Sequence, residues 1–424
     1  MVAGQAVTGL ESEQQLNVAN LIRQFAPQYV QNYPSQAVPQ VQSTLAKLSL
    51  CRTSALGDRH YRCESCHSAC KVYNSCGDRH CPQCSGSKRA AWLDSTESLL
   101  IAGTSYFQVV FTLPSELSRL ALGNRREIYD LLFTASWRSL RETIEDEQGF
   151  QAAALMVLHT WNQKLEAHGH VHAVVPAGGP SLGDPDRWKP TMRRGRETPF
   201  YLVDVSDLRR RYRDRFIEGL RHIHNRSGLK LEGEFAELKN AAVFESFLKK
   251  LASVSWGLNI QPPPQANCES AILLKYLARY LTGGPISSKR LISADETSVR
   301  FWAREGKING GDRQRQSVPM KLSGVEFTRR WSLHILPKGY VRCRRYGGWS
   351  NRHRQSFVAR CQQLLGDDPI ETATAGDLDD DPVEPRHRCS ECGAPMLLVA
   401  ETDKPSWSKV MAGTHRPRWY RESG

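Results

Sequence analysis

AALMVLHTWNQKLEAHGHVHAVVP, residues 153–176, decides how the rest of the chain is read. Two apolar runs, 153–161 and 168–176, flank six residues that suit a hairpin turn. In the second run His170, Val171 and His172 alternate, and the two-residue period of a strand puts both imidazoles on one face and Val171 on the other. His159 stands 11 residues before His170, and if the hairpin pairs these two positions it joins the same face. Three imidazoles converging from two strands make a divalent-metal site with positions left open for substrate. His168 shares that face nearer the turn, and Gln163 is a polar neighbour able to orient a ligand or replace one. An HxH pair alone is as readily a pair of surface or core histidines, so a second feature has to choose.

That feature lies at 269–281, ESAILLKYLARYL, a helix by its apolar spacing and ended by Gly283, Gly284 and Pro285. Tyr276 and Tyr280 are four apart and share a helix face, so both phenols can address one site. A phenol that titrates near pH 10 is a poor nucleophile unless a metal polarises its target. Lys275, Arg279, Lys289 and Arg290 stand nearby as phosphate-binding candidates. The competing reading is a core stripe, since Ile272, Tyr276 and Tyr280 run beside Leu273, Leu277 and Leu281.

Composition sets the wider frame. The chain has 424 residues, enough for two or three domains, and a formal net charge of +13, which points to a polyanionic partner, nucleic acid first. No run approaches the roughly 20 apolar residues of a membrane span, and the N-terminus lacks the pattern of a secretory signal. A protein without membrane or nucleotide partners is expected. Seven of the 12 cysteines fall between Cys51 and Cys84, which in a chain without signal peptide points to metal rather than disulfides.

Cys63-x2-Cys66 and Cys81-x2-Cys84 are two knuckles that together supply the four soft ligands of a tetrahedral zinc site. Cys51 and Cys76 are the foremost further donors, with Cys70, His60, His67 and His80, either replacing a knuckle ligand or forming a second site. Cys389-x2-Cys392 is half a site, with His387, Cys343, Cys361 or His415 as candidate completions. Helices are expected at 13–33, 40–50, 89–101, 123–146, 205–228 and 242–253, and a buried strand at 106–114. Short strands are expected at 291–302 and 316–321, with an acidic linker at 377–381. The stretch WSLHILPKGYVRCRRYGGWSNRHR, 331–354, mixes Arg and Lys with Trp and Tyr, a composition suited to phosphate contact with base stacking.

In this order the motifs resemble a known family. The Cys-rich segment, the FTLP strand, LHTWNQ…HGHVHAVVPAGG, YLARY and LHILPKGYVRCRRYGGW are similar to those of the rolling-circle insertion-sequence transposases of the two-tyrosine HUH class, the insertion-sequence-91 family, over roughly residues 15–360. The resemblance implies an α+β fold: a central HUH nuclease domain whose antiparallel sheet is flanked by helices, an N-terminal zinc module and a small basic C-terminal region. The domains would be 1–100, 101–335 and 336–424. It further implies Mg²⁺ or Mn²⁺ on His170 and His172, to which the hairpin spacing adds His159 as third ligand, Zn²⁺ in the N-terminal domain, and a cytoplasmic, nucleoid-associated bacterial protein. Tyr276 and Tyr280 would be the nucleophiles that nick single-stranded DNA through a 5′-phosphotyrosine link and transfer the strand. The segment 282–287, TGGPIS, is less basic than in relatives, which bears on local DNA contacts only. With no GxxxxGK[ST] sequence, unwinding would fall to a host helicase or to replication. The alternatives are a plasmid-type replication initiator or relaxase with the same chemistry, and a non-catalytic zinc-dependent DNA-binding regulator.

Overall fold

The computed structural model describes residues 16–84, 96, 99–192, 201–263, 284–304, 316–366 and 387–420. Helices and antiparallel sheets alternate along them, an α+β architecture. The chain divides into two compact units, each drawn from separated stretches: residues 86–285 with 333–386, and residues 1–85 with 286–332 and 387–424. Consecutive domains do not coincide with this division. Boundaries drawn along consecutive motifs carry no record of strands that pair across hundreds of residues.

The larger unit is built on a five-stranded antiparallel sheet. Its strands are β3 (Tyr106–Thr112), β4 (Ala153–Trp161), β5 (Ala167–Pro176), β8 (Gly257–Gln261) and β12 (Cys343–Gly347), in the order β12-β4-β5-β3-β8. A short ribbon, β6 (Gly178–Pro180) with β7 (Trp188–Pro190), extends from β5. The apolar run 153–158 is buried throughout, because β4 is covered on both faces. One face, carrying Val109, Phe111, Met156, Leu158, Val171 and Ala173, packs on helices α4 (Arg125–Gln148), α5 (Val205–Asn225) and α6 (Ala241–Ser253). Asp204 caps α5 by accepting from the amides of Ser206 and Asp207, and Asn240 caps α6 in the same way. Gly149 ends α4 in the left-handed conformation, φ 68°. A short helix, α3 (Ser118–Gly123), precedes α4.

The opposite face is divided. At one end Tyr106, Ala153, Leu155, Val157 and Val174 pack with Trp349, Phe357 and Cys361, the last two on helix α8 (Arg354–Leu365). At the other end the same face carries histidines. Among the described residues no helix is long and apolar enough to cross a membrane.

The second unit joins three stretches of chain. Helices α1 (Val18–Asn32) and α2 (Pro39–Ser49) pack together, and α1 also packs on α7 (Gly324–Ser332). Gly324 sits so close to Phe25 that a Cβ would lie 2.2 Å from its ring, so this crossing needs glycine. A three-stranded sheet of β9 (Leu291–Ala294), β10 (Ser298–Arg304) and β11 (Ser317–Ser323) leads into α7. Within the Cys-rich segment β1 (Asp58–Cys63) and β2 (Ala69–Tyr73) form a ribbon, and β13 (Met396–Glu401) pairs antiparallel with β1. A last short helix, α9 (Trp407–Ala412), follows.

Candidate functional site

The hairpin β4–β5 has the register that the histidine spacing requires: His159 is paired with His170, and Val157 with His172. Period 2 then sets His159, His170 and His172 on one face while Val171 faces the helices with no exposure. The ring centroids of His159 lie 5.3 Å from those of His170 and 4.6 Å from those of His172, and His170 and His172 are 5.0 Å apart. One ligand nitrogen from each ring lies within 4.8 Å of the others. An ion bound at roughly 2.1 Å keeps its nitrogen donors within about 4.2 Å of one another, so a small closure of the rings completes the set.

Hydrogen bonds fix how the rings present themselves. His170 Nδ1 donates to the carbonyl oxygen of His168 at 2.9 Å, which places the lone pair on Nε2. Gln108 Nε2 donates to His172 Nδ1 at 2.9 Å and fixes the orientation of that ring. Trp161 stacks on His159 with centroids 4.7 Å apart. Burial pushes the His170 pKa down to about 3, helped by the neighbouring His172, and burial alone takes His172 to about 4. Both imidazoles are therefore neutral at pH 7, the form that binds a metal. The residues thus fit a divalent ion.

Gly169 explains why the sequence reads HGH. A Cβ there would lie 3.0 Å from Leu113 Cδ1 and 3.2 Å from the Tyr129 ring. His168 lies beside His170, centroids 5.2 Å apart, but outside the triad. Gln163 is exposed in the hairpin turn, where Asn162 Oδ1 accepts from the amides of Lys164 and Glu166. The sequence reading missed Gln108, whose signal was a lone amide in the apolar run YFQVVFT on the face that β5 shares. His334 was passed over too. Its Nδ1 meets Thr160 Oγ1 at 3.2 Å and its Nε2 the Leu165 carbonyl at 3.1 Å, so protein groups occupy both nitrogens.

The cysteines group differently from the expectation. Cys63-x2-Cys66 and Cys81-x2-Cys84 do not share a site. Cys81 and Cys84 converge with Cys51 and Cys76, with sulfurs 3.5–3.6 Å apart and all four side chains buried. Cys63 and Cys66 converge instead with Cys389 and Cys392, at 3.5 Å. The C-terminal knuckle is thus completed by the N-terminal one and not by His387, Cys343, Cys361 or His415. Four thiolates at about 2.3 Å around one zinc ion place their sulfurs about 3.8 Å apart, near what is seen. His60 and His80 are not ligands here; each bonds a carboxylate at 3.0 Å, Asp58 and Asp78 respectively. Cys70 is exposed and belongs to neither group.

Other expected site residues are more scattered. Tyr276, Tyr280, Lys275 and Arg279 lie outside the described residues, as do the acidic linker and most of the helix expected at 89–101. Lys289 is exposed on a short turn, Ser288–Arg290. Arg290 donates from Nε to the Trp302 carbonyl at 2.8 Å and lies over the Phe301 ring, and burial lowers its pKa to about 10. In the basic aromatic block the expectation of base stacking fails for the rings: Trp331, Tyr340 and Trp349 are all buried. Arg344 lies over Phe133 at 4.2 Å and pairs with Asp130, so this block forms the sheet edge β12 and its supports.

Comparisons with known proteins identify the family. Residues 153–356 match the family model Y2_Tnp, described as "Putative transposase", and residues 21–113 match the "Transposase zinc-binding domain" model, Zn_Tnp_IS91. The chain is 35% identical over 351 residues to the "Putative transposase y4qJ" of Sinorhizobium fredii (strain NBRC 101917 / NGR234), covering 82% of this chain and 84% of that one. It is 26% identical over 377 residues to the transposase for insertion sequence element IS801 of Pseudomonas savastanoi pv. phaseolicola, covering 84% and 83%. No solved structure matches it. The chain belongs to the insertion-sequence-91 family of transposases, with an N-terminal zinc-binding domain and DNA as its partner.

Proposed function

We propose that this transposase nicks single-stranded DNA at the ends of its element and transfers the strand by rolling-circle transposition. The observation that carries the reading is the convergence of His159, His170 and His172 on one sheet face of a transposase-family chain. Three imidazoles would hold one divalent ion, and this all-nitrogen set suits Mn²⁺ better than Mg²⁺, which prefers oxygen donors. When bound, the ion supplies Lewis-acid polarisation of the scissile phosphate and orients it.

The remaining steps fall to the chain. Tyr276 or Tyr280 attacks phosphorus through its phenolic oxygen, the new O–P bond forms as the bond to the 3′ oxygen breaks, and the proton lost by the phenol is balanced by one gained at the 3′-OH. The 5′-phosphotyrosine keeps the energy of the broken bond, so no nucleotide cofactor enters. The released 3′-OH, or the second phenol, then reverses the step on another strand. The His168 carbonyl holds the His170 ring with Nε2 free for the ion, and Gln108 orients the His172 ring. Lys275, Arg279, Lys289 and Arg290 are proposed phosphate contacts, and Arg290 would act from a partly buried position.

The test is incubation of purified protein with labelled single-stranded element ends and Mn²⁺ or Mg²⁺, followed by denaturing electrophoresis. A covalent protein–DNA adduct is expected, stronger with Mn²⁺. Adduct formation by the Tyr276→Phe plus Tyr280→Phe double variant would remove the phenols from the mechanism.

A further inference from the structure

The two cysteine knuckles at opposite ends of the chain are copies of one device. In the first, the His67 amide donates to the Cys63 carbonyl at 3.1 Å and the Cys63 amide to the Ser68 carbonyl at 2.8 Å. In the second, the Gly393 amide donates to the Cys389 carbonyl at 2.9 Å and the Cys389 amide to the Ala394 carbonyl at 2.8 Å. Each offset from the first cysteine is the same. His67 and Gly393, at matching positions, both take the left-handed conformation, φ 59° and 72°. That conformation is ordinary for glycine and uncommon for histidine, so the turn is imposed by what it holds.

The same repetition reaches the sulfurs. The amides of Cys66 and Ser65 donate to Cys63 Sγ, and those of Cys392 and Glu391 donate to Cys389 Sγ. The Ser68 amide donates to Cys66 Sγ, and the Ala394 amide to Cys392 Sγ. Backbone N–H groups aimed at sulfur stabilise negative charge there, and four thiols drawn within 3.5 Å contacts need a cation to hold that charge together. The sulfurs are far from the roughly 2.05 Å of a disulfide.

We propose that Cys63, Cys66, Cys389 and Cys392 bind a second zinc ion, separate from that of Cys51, Cys76, Cys81 and Cys84, and that this ion clasps the C-terminal segment onto the N-terminal domain. The family match to the zinc-binding domain ends at residue 113, so half of this site lies far beyond it. Strand pairing supports the clasp: Cys63 pairs with Met396 and Arg59 with Glu401 along β1 and β13. Arg59 Nε donates to Glu401 at 2.7 Å, the Thr402 amide donates to the Asp58 carbonyl at 2.7 Å, and Lys404 Nζ donates to the Cys76 carbonyl at 3.0 Å. The two ions differ in access. All four ligands of the first quartet are buried, whereas Cys66 and Cys392 of the second are exposed. The clasp ion is therefore the one that exchanges with solvent chelators first.

Zinc per chain, measured by inductively coupled plasma mass spectrometry on the full-length protein, tests this. Two ions are expected in the wild type and one in Cys389→Ser plus Cys392→Ser. Cys392→His, which keeps a zinc ligand, should retain two. A chelator added to wild type should release zinc in two phases of equal size, and the double serine variant should lack the fast one. Trypsin should cleave within 387–420 in step with the fast phase. One ion in the wild type, or two in the double serine variant, overturns the proposal. Loss of both ions in the double variant while Cys392→His holds two would show one coupled cluster in place of two sites, and overturns it as well.

Discussion

The histidine triad and the thiol quartets are all suited to divalent metal, yet they are built in opposite ways. The triad stands on the central strands of a five-stranded sheet, where pleat and register fix the rings and bring three donors together among the described residues. Each quartet stands on turns and offers four sulfurs, which closes the coordination sphere. Three nitrogens on a sheet suit an ion that also takes a substrate oxygen, whereas four thiolates fill a tetrahedral ion by themselves. Under the proposed function, ligand number and scaffold would separate chemistry from architecture.

The sharpest way to break the contrast is to remove the triad. His170→Ala plus His172→Ala is expected to lower adduct formation on single-stranded ends by at least about 10³-fold, since a bound ion supplies several kcal/mol of charge stabilisation. Its zinc content should be unchanged. Cleavage within ten-fold of wild type would show that the triad is not the catalytic centre.

Cys81→Ser probes the other side. Structural zinc binding is folding free energy, so losing a ligand from the buried quartet should lower the melting midpoint of its unit by on the order of 10 °C. Scanning calorimetry reads this, and an unshifted midpoint would deny the quartet its structural role. A finer cut is Gln108→Ala, which leaves every ligand in place. The weakened hold on His172 should cost about 10–100-fold in Mn²⁺ affinity, with the rate at saturating metal much less affected. Equal losses in both would mean that Gln108 does more than position the ring.

The smallest effect separates ligand histidines from a structural one. Burial holds the His334 pKa down to about 3, against about 6.5 when unfolded. Below pH 6.5 the unfolded chain takes up a proton that the folded chain refuses, so stability is full above that pH and falls as pH drops toward 3. At pH 5 the loss from this residue is about 2 kcal/mol relative to pH 8. Urea unfolding at both pH values should show a shallower fall for His334→Gln than for wild type; parallel slopes would contradict it.

Legibility in the sequence followed distance along the chain. The hairpin and its register were readable because the histidines interrupt an apolar run at period 2, and 11 residues fix which ones face each other. The partner of Cys63 was not readable, because a thiolate tetrahedron closes between any two Cys pairs that the fold brings together. Nearby Cys81 looked the better partner than Cys389, and it was wrong. Gln108 was hidden for the same reason, reaching His172 only through pairing of β3 with β5. The aromatic residues of 331–349 misled in another way: composition counts rings and charges but does not say which way they face. The tyrosine helix, which weighed most in the sequence reading, lies outside the described residues.

The pairing of β1 with β13 has a consequence for how the protein is made. Arg59 and Glu401 are 342 residues apart, and a ribosome adding 5–20 residues per second needs about 20–70 s to get from one to the other. The strands of the five-stranded sheet all lie between residues 106 and 347, so that core is complete on the chain before the last strand of its companion exists. The unit that carries both thiol quartets is completed only once residues 387–401 have been made. A chain cut short by a premature stop would therefore emerge with a finished histidine sheet and an unfinished cysteine module.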